Sequence, residues 1–73
     1  MIKIDLTKIL NERNMTSKEL AEKINITEAN LSILRSGKAK AIRFTTLNAI
    51  CKTLNCLPGD FISYEEGEEI EEI

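Results

Sequence analysis

Apolar residues recur along this chain in two rhythms, and polar residues that stop or start helices punctuate the changes. Ile2 and Ile4 alternate with Lys3 and Asp5, a weak period-2 signal for a short opening strand. Leu6, Ile9 and Leu10 then fall at i, i+3 and i+4, one face of a first helix reaching about Arg13. Asn14 suits the left-handed turn that ends it. Thr16-Ser17-Lys18-Glu19 reads as a capping box, with Met15 and Leu20 at the hydrophobic-staple positions. Helix 2 therefore starts here, is expected to bury Leu20, Ala21 and Ile24, and stops at Asn25.

Thr27 is the next N-cap, with Ile26 and Leu31 as a second staple and Glu28 at the positive end of the helix. Helix 3 extends to about Ser36, where Gly37 supplies the stop. Two short capped helices so closely spaced are a helix-turn-helix signature. Residues 38–44 form a basic connection. Thr45 or Thr46 is the expected cap of a fourth helix carrying the stripe Leu47, Ile50, Cys51 and Leu54, which reads as core. Asn55 ends it, and Pro58 opens a last short turn through Phe61. Residues 62–64 leave room for a second short strand beside residues 2–4. The expected division is a domain over 1–64 and an acidic, solvated tail over 65–73, with Ile70 and Ile73 allowing a frayed final turn.

Helix 3 has a face with no structural task. At about 100° per residue, Leu31 and Leu34 define its buried direction. Ala29, Ser32, Ile33 and Ser36 then point roughly 130–170° away, with Glu28 about 90° to the side. That face is small, polar and neutral, and it carries one isoleucine the core cannot use. Small side chains let a helix enter a major groove. Ser and Glu can bond base edges there, and Ala and Ile can meet a thymine methyl. Taken alone, the same face could equally be a solvated helix surface.

Charge changes the balance. The net charge of −2 argues against a nucleic-acid partner until its distribution is considered. Residues 1–60 carry ten Lys/Arg against six Asp/Glu, a net of +4, whereas residues 61–73 carry six glutamates and no base. Between Ala29 and Gly59 there are five bases and no acid. Arg35, Lys38, Lys40 and Arg43 follow helix 3 where phosphates would lie if it sat in a groove, and phosphate contacts supply most of the affinity.

Other chemistry is poorly supplied. With two cysteines and no histidine, one chain cannot complete a four-ligand zinc site, and no cofactor is expected. A disulfide between Cys51 and Cys56 would close a tiny loop, so both are read as core thiols of a cytoplasmic protein. The opening residues do not read as a signal peptide, and no apolar run approaches the ~20 residues that span a bilayer. No paired carboxylates sit on an apolar helix face and no glycine loop could cradle phosphate, so an enzyme acting on a small molecule is not expected.

Met15-Thr16-Ser17-Lys18-Glu19-Leu20-Ala21 through Thr27, Leu31-Ser32-Ile33-Leu34-Arg35-Ser36-Gly37-Lys38, and Leu47 through Pro58-Gly59-Asp60 together resemble the Cro/C1-type helix-turn-helix family of phage-repressor-like regulators. The resemblance covers about residues 3–64. It implies an all-α, compact bundle of five short helices, binding operator DNA through helix 3. Carried over by position, Glu28, Ala29, Asn30, Ser32 and Ile33 would read bases. Thr16, Ser17, Ser36, Lys38 and Arg43 would hold phosphate, joined by Arg35 and Lys40 on the charge argument. The chain departs from the family pattern at Ser17, where glutamine is usual, at Asn25 for the turn glycine, and at Ser36 for asparagine. Glu28 replaces a common neutral amide.

The leading expectation is thus a sequence-specific regulator, repressor-like, binding double-stranded DNA as a homodimer. Ile2, Ile4, Phe61 and Tyr64 are its candidate dimer contacts. A second expectation is a protein-interaction module on the same fold, an antitoxin or anti-repressor, whose acidic tail engages a basic partner or the chain's own basic strip.

Overall fold

Three asparagines set the outline of the domain. Asn14, Asn25 and Asn55 adopt left-handed backbone angles, with φ of 52°, 60° and 50°. Asparagine tolerates this region better than most side chains. After each, an amide reaches back five residues: Met15 N–H to the Leu10 carbonyl, Ile26 N–H to Ala21 and Cys56 N–H to Cys51, each at 3.0 Å. This closure satisfies an end carbonyl and turns the next apolar residue inward. Met15, Ile26 and Cys56 all pack against the core.

The computed structural model describes residues 1–37, 39 and 41–66. In chain order it contains β1 (Ile2–Ile4), α1 (Thr7–Glu12), α2 (Ser17–Lys23), α3 (Glu28–Arg35), α4 (Phe44–Leu54), a 3-10 turn (Pro58–Asp60) and β2 (Ile62–Tyr64). Lys38, Lys40 and the expected tail beyond Glu66 lie outside the described residues, and so does the frayed turn around Ile70 and Ile73. The expectation of five helices is corrected to four α-helices among the described residues. The chain after Pro58 makes only a 3-10 turn, in which the Asp60 carboxylate accepts the Leu57 N–H at 2.8 Å.

Both short strands form. They pair antiparallel, Ile2 with Tyr64, Lys3 with Ser63 and Ile4 with Ile62. Glu65, expected in the solvated tail, extends this pairing. Its N–H donates to the Met1 carbonyl at 2.9 Å, its carbonyl accepts from the Met1 amino group, and its carboxylate meets Lys3 Nζ at 2.8 Å.

Leu6, Ile9, Leu10, Leu20, Ala21, Leu31, Leu34, Ile50, Leu54 and Phe61 form one buried cluster drawn from all four helices, from the N-cap of α1 and from the residue between the 3-10 turn and β2. Leu6, Leu20, Leu31, Ile50 and Leu54 are almost wholly enclosed. Each such side chain contributes about 1.5–3 kcal/mol of transfer free energy. Phe61 is 3% exposed, so its expected role at a dimer interface is corrected: it is a core residue of the monomer. Arg13, just past α1, donates from Nε to the Leu54 carbonyl at 2.7 Å and from Nη2 to the Asn55 carbonyl at 3.4 Å. A cation is thereby held at the negative end of α4.

The start of α4 also differs from expectation. Neither Thr45 nor Thr46 caps it. Arg43 is the N-cap, in an extended conformation and without a side-chain hydrogen bond. The Leu47 N–H already bonds the Arg43 carbonyl at 3.0 Å, so the threonines lie within the first turn. No helix among the described residues is long and apolar enough to cross a membrane.

Candidate nucleic-acid interface

The interface is built on two capped helices. Thr16 Oγ1 accepts the Glu19 N–H at 3.1 Å, and Glu19 Oε1 accepts the Thr16 N–H at 3.3 Å, completing the box at the head of α2. Thr27 Oγ1 caps α3 by accepting the Asn30 N–H at 3.1 Å. Between them the left-handed Asn25 makes the turn. Leu31, fully buried, and Leu34, 7% exposed, anchor α3 to the core.

The opposite face of α3 is open, as the helical wheel requires. Glu28, Ala29, Asn30, Ser32 and Ile33 are all exposed. Ile33 keeps 48% of its surface in solvent although it is a large aliphatic residue. None of the five base-reading candidates is used by the core.

The polar candidates fall into two groups beside this helix. On one side a shallow hollow brings together Thr16, Ser17 and Arg35 with Thr7 and Asn11. Arg35 Nη1 donates to Ser17 Oγ at 2.7 Å, and Nη2 reaches Thr7 Oγ1 at 3.3 Å. The Thr16 hydroxyl also donates to the Glu19 carboxylate at 3.1 Å, so its own proton is engaged within the capping box. On the other side an open groove is lined by Asn30 and Ile33 of α3, by Ile42 and Arg43, and by Thr46 of α4. Arg43, exposed at the head of α4, thus stands beside the reading face. Ser36 is exposed, and its hydroxyl donates to the Ile33 carbonyl at 2.8 Å. Gly37, at φ 75°, completes the stop. Lys38 and Lys40 lie outside the described residues.

Three contributors escaped sequence reasoning. Thr7 had no signal beyond its place in helix 1, and only the fold brings it under Arg35. Thr46, which with Thr45 has the look of a cap in sequence, instead lines the groove with Arg43. Phe44, 83% exposed at the first position of α4, stands three residues before Leu47, in phase with the apolar stripe. Periodicity alone would put it in the core. Its ring nevertheless remains in solvent next to Arg43, while Ile42 and Leu47 on either side pack against the core.

Comparison with known proteins agrees with this geometry. Residues 5–67 match the family model described as the Cro/C1-type HTH DNA-binding domain. The chain belongs to the Cro/C1-type helix-turn-helix family. It is 53% identical over 66 residues to YozG of Bacillus subtilis (strain 168), described as an uncharacterized HTH-type transcriptional regulator, covering 90% of this chain and 79% of that protein. It also superimposes on the crystal structure of the transcriptional regulator VanUg, with a TM-score of 0.66 and 32% identity over 85% of this chain and 84% of the other. In this Cro/C1-type domain, α2 and α3 are the two helices of the motif, and Asn25 holds the turn between them.

The two cysteines stand apart from the interface. Both are free and half-buried at the end of α4. Burial, with a lesser contribution from Cys51 beside it, pushes the Cys56 thiol up from its ordinary value. It therefore stays protonated at neutral pH, the unreactive form.

Proposed function

We propose that this chain is a sequence-specific transcriptional regulator that places α3 in the major groove of double-stranded DNA. The observation that carries the reading is the division of α3 into two faces. Leu31 and Leu34 are consumed by the core, while Glu28, Ala29, Ser32 and Ile33 are exposed between two polar groups centred on Arg35 and Arg43. Ser32 suits a base-edge hydrogen bond, Ala29 and Ile33 suit thymine methyl groups, and Glu28 suits a cytosine amino group. Asn30 would contribute from the edge of the groove it shares with Arg43. Ser17, Arg35, Ser36, Arg43 and the basic Lys38 and Lys40 would hold the flanking phosphates, with Thr16 positioning the head of α2.

The regulator acts as a cytoplasmic homodimer on a two-fold site with half-sites about 34 Å apart, repressing by occupancy of the operator. Selection of bound sequences from random DNA tests this. The expected product is an inverted repeat, bound more weakly as salt rises, with each altered half-site base costing about 1–3 kcal/mol. Failure to enrich any sequence, or equal binding by an Arg35→Ala, Lys38→Ala double variant, contradicts it.

A further inference from the structure

Cys51 and Cys56 are the two cysteines of the chain, and the left-handed Asn55 between them determines how they meet. Loop length alone speaks against a bond between them. The backbone reverses that. With Asn55 at φ 50°, the Cys56 N–H donates to the Cys51 carbonyl at 3.0 Å, five residues back. In this helix closure the residue after the left-handed one folds back onto the last turn, usually as an apolar contact. Here the two side chains brought together are thiols.

Both are free, half-buried and packed against the core, so the fold fixes their approach. Cys51 is close enough to act directly on the Cys56 thiol. An amide–carbonyl bond between two residues brings their Cα atoms into the range of about 4.4–6.8 Å that disulfides span. Arg13, which bonds the Leu54 and Asn55 carbonyls, stands beside Cys56 and favours its ionised form, while Asp60 opposes it. Burial keeps this thiol protonated at neutral pH, which slows exchange but does not set where its equilibrium lies.

We propose that Cys51 and Cys56 are a modification site, a dithiol that low-molecular-weight disulfides convert reversibly into an intramolecular bond closing the end of α4. One cysteine gives its proton to water and, as thiolate, attacks a sulfur of the small disulfide. That S–S bond breaks, and one small thiolate leaves. The second cysteine also gives up its proton and attacks the protein sulfur of the mixed disulfide, expelling the other small thiolate. The two released protons return to those thiolates. The chain has then lost two electrons, and the small disulfide has gained them as two thiols. The closure at Asn55 favours the second step, because the resolving sulfur is already beside its target. α4 has eleven residues, so the site lies roughly 15 Å from Arg43 at its head. The bond acts on the stability of the domain and leaves the reading face of α3 as it is.

Equilibration of the full chain with mixtures of oxidised and reduced glutathione at mildly alkaline pH tests the assignment, with products resolved by mass after acid quenching. The expected product is a single chain lacking two hydrogens. Its equilibrium constant in native buffer should be at least tenfold larger than in concentrated urea, where the closure at Asn55 is lost. By linkage, the oxidised chain should resist unfolding by the same factor, read as a higher urea midpoint. Cys51→Ser and Cys56→Ser, checked for folding by circular dichroism, should go no further than the mixed disulfide with glutathione. A native constant equal to or below the one in urea overturns the proposal. So does a mixed disulfide or a covalent dimer as the main wild-type product. Both results leave the DNA-binding reading untouched, because the wild-type chain is folded and tested without DNA.

Discussion

Arg35, the last residue of α3, donates a 2.7 Å hydrogen bond to Ser17 at the head of α2, so the two helices of the motif are tied at the point where phosphate is expected. The same guanidinium touches Thr7 in the first turn of α1. Arg35 therefore orients the reading helix as well as presenting charge. Leucine packing fixes the depth of α3, and this polar tie restricts its rotation.

Replacing Arg35 with alanine should lower stability by only about 0.5–1.5 kcal/mol, because the bonds are solvent-exposed. DNA affinity should fall by about tenfold or more, because a phosphate-facing charge and the helix alignment are lost together. A double-mutant cycle with Ser17→Ala, read by gel shift, isolates the alignment component. Fully additive losses would show that the tie contributes nothing to binding.

Arg13 acts on the other side of the fold. It covers the carbonyls of Leu54 and Asn55 at the end of α4. Arg13→Ala should destabilise the domain by about 1–2 kcal/mol, and Arg13→Lys should recover only part, since a point charge cannot reproduce the two-pronged contact. Urea titrations give the comparison, with midpoint shifts at unchanged slope as the expected form.

The two faces of α3 should separate stability from function. Leu31→Ala, at a fully buried position, is expected to cost about 2–5 kcal/mol. Ile33→Ala, at an exposed one, should change stability by no more than about 0.5 kcal/mol yet reduce discrimination between operator and random DNA. Thermal melts and competition gel shifts on both variants check the pair. A large stability loss for Ile33→Ala would mean that the residue belongs to the core.

The raised Cys56 thiol gives a pH dependence of definite sign. Its folded form holds the proton more tightly than the unfolded chain does. The associated stability is present below the ordinary value of 9.0 and is lost as pH rises through the higher folded value. Denaturation midpoints should fall more steeply above pH 9 for the wild type than for Cys56→Ala. Alkylation of the native chain at neutral pH should be slower than in urea.

Most of this architecture was legible because its signals are local. The two caps Thr16 and Thr27, the stops at Asn14, Asn25 and Gly37, and the Leu31–Leu34 direction each involve residues within one or two turns of each other. Local chemistry decides them. What could not be read depends on tertiary position. Phe61 has the look of a surface aromatic near the terminus until Asp5 pairs with its carbonyl and draws it into the core. Phe44 is in phase with the core stripe of α4, yet its ring stays in solvent while Ile42 and Leu47 take the core contacts. The start of α4 is hidden in sequence because Arg43 caps by backbone geometry alone, without the hydroxyl that marks a cap. The Arg35–Thr7 and Arg13–Leu54 bonds join residues 28 and 41 apart, where no sequence pattern operates.

The reading-face claim is tested most directly by following the backbone and methyl resonances of the labelled chain as its selected operator is added. The largest shifts are expected at Ala29, Ser32 and Ile33, with a second group at Ser17, Arg35 and Arg43. Perturbations centred on the β1–β2 sheet, with α3 unmoved at saturation, would contradict it.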